Sequence, residues 1–191
     1  MTDGSGAIEV LISEEEISHR IDQLAAQISR DYAGRELLLV CVLKGAWIFM
    51  ADLMRRISIP CRADFLAVSS YGDASVTSGA VKIIADLTEA IGGRDVLLVE
   101  DIIDSGLTVS YLLTILSARR PRSLKLCALL DKKERRRVTV PIDYRGFSIP
   151  DRFVVGYGLD SGGLYRHLPF VGVVTDPCGG KNGKTTDGGV S

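Results

Sequence analysis

Between residues 36 and 130 the chain alternates apolar runs of strand length with stretches whose apolar residues recur at helical spacing. "ELLLVCVL" (36–43), "ADFLAVSS" (63–70), "DVLLVED" (95–101) and "LKLCALL" (124–130) read as strands, while 46–57 and 108–120 read as helices, the second ended by Pro121. Strands that are apolar on nearly every residue must be covered on both faces. The expectation is therefore an α/β fold, a mostly parallel central sheet with helices on both faces. "FVVGY" and "FVGVV" add two short strands later in the chain. Upstream, Ser13 and Glu16 have the spacing of a capping box, and Ile17, Ile21, Leu24 and Ile28 follow at helical intervals until Gly34.

A chain of 191 residues fills one core comfortably and two poorly, so a single domain over 1–175 is expected. Residues 176–191, rich in glycine and nearly free of apolar side chains, read as a disordered tail. Residues 71–79, "YGDASVTSG", read as a mobile loop on a two-stranded excursion completed by "AVKIIADL". The net charge of −1 signals no bulk attraction to nucleic acid or membrane. No apolar run approaches the roughly 18 residues of a membrane span. These features predict a soluble cytoplasmic protein. Four cysteines, at 41, 61, 127 and 178, lack metal-ligand spacing and are expected to be free thiols.

Chemistry concentrates at one turn. "VLLVEDIIDSGLT" (96–108) sets Glu100, Asp101 and Asp104 within five positions where a strand ends and a helix begins. Backbone N–H groups of 105–109 would open that helix, an arrangement that cradles a phosphate. Carboxylates repel a phosphate, but they suit vicinal hydroxyls or a bound Mg²⁺. One segment could thus hold a ribose 5-phosphate at both ends. A favourable helix dipole accounts for one or two acids in a first turn, not for three flanking a glycine. "GGKNGKT" in the tail has the wrong glycine spacing for a P-loop and no helical pattern after it. The "LLVED" strand is interior to the chain, unlike the opening strand of a receiver domain.

This segment resembles the diphosphate-activated ribose motif of type I phosphoribosyltransferases. With "LKGAW" (43–47), "SSYG" (69–72), "LLDKKERR" (129–136), "FVVGYGLD" (153–160) and "YR" (165–166) in order, residues 8–175 resemble the hypoxanthine (hypoxanthine–guanine) branch of that family. The resemblance implies a sheet with a small hood built from N- and C-terminal segments. It implies transfer of the phosphoribosyl group from 5-phosphoribosyl 1-diphosphate to a 6-oxopurine, with release of pyrophosphate and a requirement for Mg²⁺.

Site residues follow by the same resemblance. Lys44 and Gly45 match the pyrophosphate loop, in which a non-proline cis peptide is expected at Lys44–Gly45, and Arg166 matches the arginine on the pyrophosphate. Glu100, Asp101, Asp104, Ser105, Gly106, Leu107 and Thr108 would hold the ribose phosphate; Leu107 stands where some relatives carry lysine. Glu100, Asp101 and Asp160 match the Mg²⁺ carboxylates, and Asp104 the catalytic group beside the base. Lys132, a donor-only side chain, would select a 6-oxo group over a 6-amino group. Phe153 would stack on the purine, Val154 would offer backbone hydrogen bonds, and Asp160 also borders the base. Ser70 and Tyr71 begin the closing loop. The remaining basic residues of 133–137 read as a solvated segment. Between Asp160 and Arg166, "SGGLY" replaces bulkier polar residues, so a looser hood is expected. The resemblance further implies a homodimer or homotetramer. An enzyme for another base, or a nucleotide-sensing RNA-binding regulator of the same fold, are the alternatives; the second would need a basic face.

Overall fold

A computed structural model describes residues 7–70 and 81–175. Among the described residues, nine strands and three α-helices follow in the order β1 (Ala7–Ile12), α1 (Glu14–Asp31), β2 (Leu37–Leu43), α2 (Trp47–Met54), β3 (Cys61–Ser70), β4 (Val81–Ala85), β5 (Asp95–Ile103), α3 (Leu107–Ala118), β6 (Ser123–Asp131), β7 (Tyr144–Ser148), β8 (Val154–Val155) and β9 (Val171–Thr175). Six strands make the main sheet in the order β4-β3-β2-β5-β6-β7. All its pairings are parallel except β3 with β4.

Alternation along the central strands sends side chains to two cores. Leu37, Leu39 and Cys41 of β2 pack with Leu97, Val99 and Cys127 beneath α1 and α2, which contribute Ile17, Ile21, Leu24, Ile28, Phe49 and Leu53. Leu38, Val40 and Val42 face the other way, onto Val109, Leu112 and Leu116 of α3. Each such buried side chain contributes roughly 1.5–3 kcal/mol. Helices on both faces, as expected, are thus a direct consequence of strands apolar on every residue. Cys41 and Cys127 are free and buried in the first core. Among the described residues no helix is long and apolar enough to cross a membrane.

Chain order fixes where a ligand can enter. From β2 the chain moves outward to β3 and β4, then returns to the other side of β2 as β5 and continues outward to β6 and β7. That reversal opens a crevice beyond the carboxyl ends of β2 and β5. The β2–β5 pairing ends at Cys41↔Val99, whereas β5 stays paired with β6 as far as Ile103↔Asp131. Glu100 and Asp101 therefore lie where β5 has parted from β2.

A second sheet, β1-β9-β8, is antiparallel and joins the two ends of the described chain. Two strands had no sequence signal. β1 is exposed at half of its positions, so its apolar residues do not alternate cleanly. β7 carries Gly146, whose missing side chain makes room for Leu129: a Cβ there would lie 2.2 Å from the Leu129 carbonyl oxygen. "FVVGY" yields only a two-residue strand because Gly156 turns left-handed, at φ 93°. The expected tail at 176–191 and the loop at 71–79 lie outside the described residues.

Candidate active site

Both carboxylates at the end of β5 are held in unfavourable surroundings. Glu100 is 7% exposed, and its Oε2 is buried without a hydrogen-bond partner. Asp101 receives the Ile102 N–H on Oδ1 at 2.7 Å. Its other oxygen presses on the turn after β2, where a Cβ on Gly45 would fall 1.4 Å from Asp101 Oδ2. Only glycine fits against that carboxylate. Burial, then the charge of Asp101, pushes the Glu100 carboxyl well above its ordinary range. Asp101 is pushed up to about 6, chiefly by burial; the Ile102 N–H and Arg166 pull the other way, while Asp160 adds to the rise. Two acids whose charge the protein does not neutralise have the chemistry of a site that expects a cation.

Next comes the turn into α3. Gly106 caps the helix at φ 83°, and a Cβ there would lie 2.5 Å from the Val138 carbonyl oxygen. The first-turn N–H groups have no intrahelical acceptors and point out of the helix start. Ser105 Oγ accepts the Leu107 N–H at 3.4 Å, and the Ser105 carbonyl accepts N–H groups of Arg137 and Val138 at 2.9 and 3.1 Å. A hollow of about 90 Å³ is lined by Glu100, Asp104, Ser105, Gly106 and Thr108.

A larger cleft of about 360 Å³ adjoins it, lined by Asp101, Asp104, Lys132, Phe153, Val154 and Asp160, with Ile102, Arg135 and Leu159. Lys132 is 6% exposed, its ammonium 3.8 Å from Asp151. Phe153, by contrast, is 59% exposed, an aromatic face left open on the cleft. Val154 is buried, its strand paired with β9. Arg135 lies 3.4 Å from Asp104 Oδ2 and 3.6 Å from Asp151, while Asp104 Oδ1 is buried without a partner.

One expectation is corrected here, because Arg136 is not a solvated residue. Its guanidinium pairs with Asp131, a carboxylate 1% exposed at the end of β6, and its Nε donates to the Asp104 carbonyl at 3.2 Å. Arg145 completes the pairing at 2.8 Å. A carboxylate buried in a central strand must be matched by charge, and the sequence places its partners five and fourteen residues away.

Lys44 and Gly45 form the turn after β2 that abuts Asp101. The non-proline cis peptide is Leu43–Lys44, one bond before the expected position, so the amide involved is that of Lys44. Gly158, at φ 99°, packs on this turn so closely that a Cβ would lie 2.1 Å from the Gly45 carbonyl oxygen. Arg166 donates to the Gly158 carbonyl at 2.5 Å and pairs with Asp160 at 2.6 Å. The other Asp160 oxygen accepts the Gly163 N–H at 2.7 Å. Gly162 and Gly163 are both left-handed with nothing within 4 Å of a Cβ, so they serve conformation rather than space. Ser70 ends β3, and Tyr71 lies outside the described residues.

The fold therefore brings Asp101, Asp104, Lys132, Phe153, Val154 and Asp160 to one cleft, beside Glu100 and the 105–108 turn, with the Lys44–Gly45 turn against Asp101 and Arg166 against Asp160. Sequence reasoning missed Arg135, Arg136, Asp131 and Asp151. The only available signal was that acidic and basic residues cluster on both sides of the Lys132 strand end. Among the described residues no three acidic, histidine or cysteine side chains form a ready metal cage. Mg²⁺ seldom uses one, taking one or two carboxylates together with substrate oxygens. Glu100, unpartnered, and Asp101 fit that pattern. Asp160 is already engaged by Arg166 and Gly163.

Residues 12–162 match the phosphoribosyl transferase domain family, and the chain belongs to it. Within that family its similarities fall in one branch. It is 53% identical to a hypoxanthine phosphoribosyltransferase of Salmonella typhimurium over 169 residues, 87% of this chain and 95% of the relative. It is 49% identical to the hypoxanthine-guanine phosphoribosyltransferase of Bacillus subtilis, covering 87% of this chain and 92% of the relative. A crystal structure of a hypoxanthine-guanine phosphoribosyltransferase from Bacillus anthracis superposes with a TM-score of 0.84 at 47% identity, covering 87% of this chain and 98% of the other.

Proposed function

We propose that this chain is a purine salvage enzyme that transfers the 5-phosphoribosyl group from 5-phosphoribosyl 1-diphosphate to hypoxanthine or guanine, releasing pyrophosphate. The observation that carries this reading is the meeting, at one crevice, of a helix-start phosphate turn, two uncompensated acids and a buried lysine beside an open aromatic ring. In this assignment the N–H groups of 105–108 and the Thr108 hydroxyl hold the 5-phosphate, with Leu107 contributing backbone only. Glu100 and Asp101 face the ribose hydroxyls. Lys44, the Gly45 backbone and Arg166 face the diphosphate.

Lys132 donates to the exocyclic oxygen of the base, Phe153 stacks on the ring, and the Val154 backbone meets its edge. Departure of pyrophosphate leaves positive character on the ribose, and Lys44 with Arg166 stabilises the negative charge that leaves. Asp104 accepts the proton displaced from the base nitrogen as the new bond forms. Glu100 and Asp101, with Asp160 nearby, would hold Mg²⁺, which would supply further charge stabilisation to the diphosphate. The loop begun by Ser70 and Tyr71 excludes water from the activated ribose.

Residues 1–175 form one domain in this reading, working in the cytoplasm without nucleic acid or membrane partners. The assembly proposed with this reading is a homodimer or homotetramer. The decisive experiment is a panel of hypoxanthine, guanine, xanthine, adenine and a pyrimidine, each with donor and Mg²⁺, scored for nucleotide. Nucleotide from the first two alone is the expected result. Formation from adenine at a comparable rate would overturn the role of Lys132, and Lys132→Gln should produce that loss of discrimination, because an amide offers an acceptor as well as a donor.

A further inference from the structure

Between β8 and β9 the chain passes through three consecutive left-handed residues: Gly156 at φ 93°, Tyr157 at φ 48° and Gly158 at φ 99°. Close approach explains both glycines. A Cβ on Gly156 would lie 2.1 Å from the Phe170 carbonyl oxygen, and one on Gly158 equally close to that of Gly45. Tyr157 has no such freedom, and a non-glycine residue persists in this region only where its surroundings hold it.

The Tyr157 backbone N–H donates to the Leu168 carbonyl at 2.9 Å, and the side chain adds a hydrogen bond that crosses the molecule. The ring is buried, and its hydroxyl donates to Asp52 Oδ2 at 2.6 Å. Asp52 belongs to α2, the helix that grows out of the Lys44–Gly45 turn. Its other oxygen lies 3.4 Å from Arg55 and 3.8 Å from Arg56. Arg56 in turn is fixed to α1 through Asp22 at 2.7 Å and the Ser18 hydroxyl at 2.9 Å. At the other end Gly158 is the joint: it packs on Gly45, its carbonyl accepts Arg166 Nη1, and its N–H donates to the Arg166 carbonyl at 3.0 Å. A linked series of contacts runs from α1 through Arg56, Asp52 and Tyr157 to both walls of the proposed diphosphate site.

We infer that Tyr157 and Asp52 are positioning residues that hold the Arg166-bearing turn in register with the Lys44–Gly45 turn, serving the diphosphate end of the donor and not the purine. This rests on the functional reading above. Lys132, Phe153 and Asp104, which give the purine cleft its polar and aromatic groups, share no hydrogen bond or ion pair with Tyr157 or Asp52, although Leu159 and Asp160 of the same turn also line that cleft. A polar cavity of about 320 Å³, lined by Asp52, Arg56, Tyr157 and His167 among others, lies alongside the bond. A variant without the hydroxyl has room for water to satisfy Asp52, so the link can be cut while the fold survives.

The test is steady-state kinetics on the full chain with Tyr157→Phe, Asp52→Asn and Asp52→Leu. Tyr157→Phe should raise the KM for donor, and for pyrophosphate in the reverse reaction, by about 5–20-fold, with the KM for hypoxanthine unchanged within twofold. Asp52→Asn keeps an oxygen that accepts the phenol and should recover most of the donor affinity. Asp52→Leu should match Tyr157→Phe, and the double variant should be no worse than either. If the two KM values move together in step with the melting temperature, or the donor KM does not move, the pair is structural only and the inference is wrong. If the unaltered chain makes no nucleotide from any base, the functional reading fails instead and takes this inference with it. Should Tyr157→Phe fail to fold, the contrast between Asp52→Asn and Asp52→Leu decides the matter alone.

Discussion

Single atoms at Asp104 and Gly45 separate the functional assignments most cleanly. Asp104 has one oxygen near Arg135 and one buried without a partner, so the side chain is poised to receive a hydrogen bond or a proton. Asp104→Asn is nearly isosteric and separates charge from shape. It should leave donor binding intact and slow the chemical step by roughly 10²–10⁴-fold, the scale of a lost acid–base group. Single-turnover rates beside a donor titration check this, and near-normal turnover would reduce Asp104 to an anchor for the phosphate turn. Gly45→Ala probes the turn against Asp101. Its Cβ would coincide with the Asp101 carboxylate, so either the turn or the acid must move, while the core beneath is untouched. The expected result is a rise in donor KM and Mg²⁺ requirement of at least about tenfold, the scale of roughly 1.4 kcal/mol, with an unchanged fold by circular dichroism.

At the scale of elements, α1 is the plainest product of local sequence. Ser13 Oγ accepts the Glu16 N–H at 3.2 Å, and Glu16 returns the bond to the Ser13 N–H at 2.8 Å. Ser13→Ala should cost about 1 kcal/mol, seen as a lower urea midpoint with an unaltered slope, and kinetic constants should not change because the cap contacts no cleft residue. The capping box, β2, β5 and β6 were all legible because local chemistry or burial on both faces forces a recognisable pattern on consecutive residues. β7 was not, because its burial depends on a glycine that admits Leu129, a contact with no trace in neighbouring residues. The candidate site divides along the same line. The acids of 100–104 and the phosphate turn are contiguous and could be read as a ligand site directly; Lys132, Phe153 and Arg166 needed a resemblance to be singled out. Tyr157 gains its role from Asp52, a partner that only folding brings near, and Arg136 from Asp131, which is close in the chain but whose burial no local pattern marks. The cis bond fell one residue from its expected place because "LKG" contains no proline to mark it.

For the whole molecule, acids held above their ordinary range make stability depend on pH in a direction opposite to the usual one. Asp101 is pushed up to about 6 and Glu100 also lies well above its ordinary value, chiefly through burial. Ordinary carboxylates in an unfolded chain titrate near 4, so between about 4 and 6 the folded protein holds protons that the unfolded chain has released. Stability rises with pH wherever the unfolded state binds more protons; here the folded state does, so this contribution grows as pH falls from 7 toward 4. Lowered acids act the other way: Asp86, held down chiefly by its hydrogen bond from Arg119, and Glu16, by Ser13, lose their contributions only as pH drops below about 4. The ligand-free protein should accordingly melt higher at pH 5 than at pH 7, and lower again below pH 4. In the proposed role Asp101 must be charged to meet donor and Mg²⁺, so the melting shift they produce should shrink as pH falls through about 6. Calorimetry with and without donor and Mg²⁺ measures both trends, and Glu100→Gln with Asp101→Asn should flatten the ligand-free curve over that window by removing its two titrating groups. A ligand-free melting temperature that falls steadily from pH 7 to 5 would mean that these acids are already charge-compensated in the empty crevice, leaving no unmet demand for a cation there.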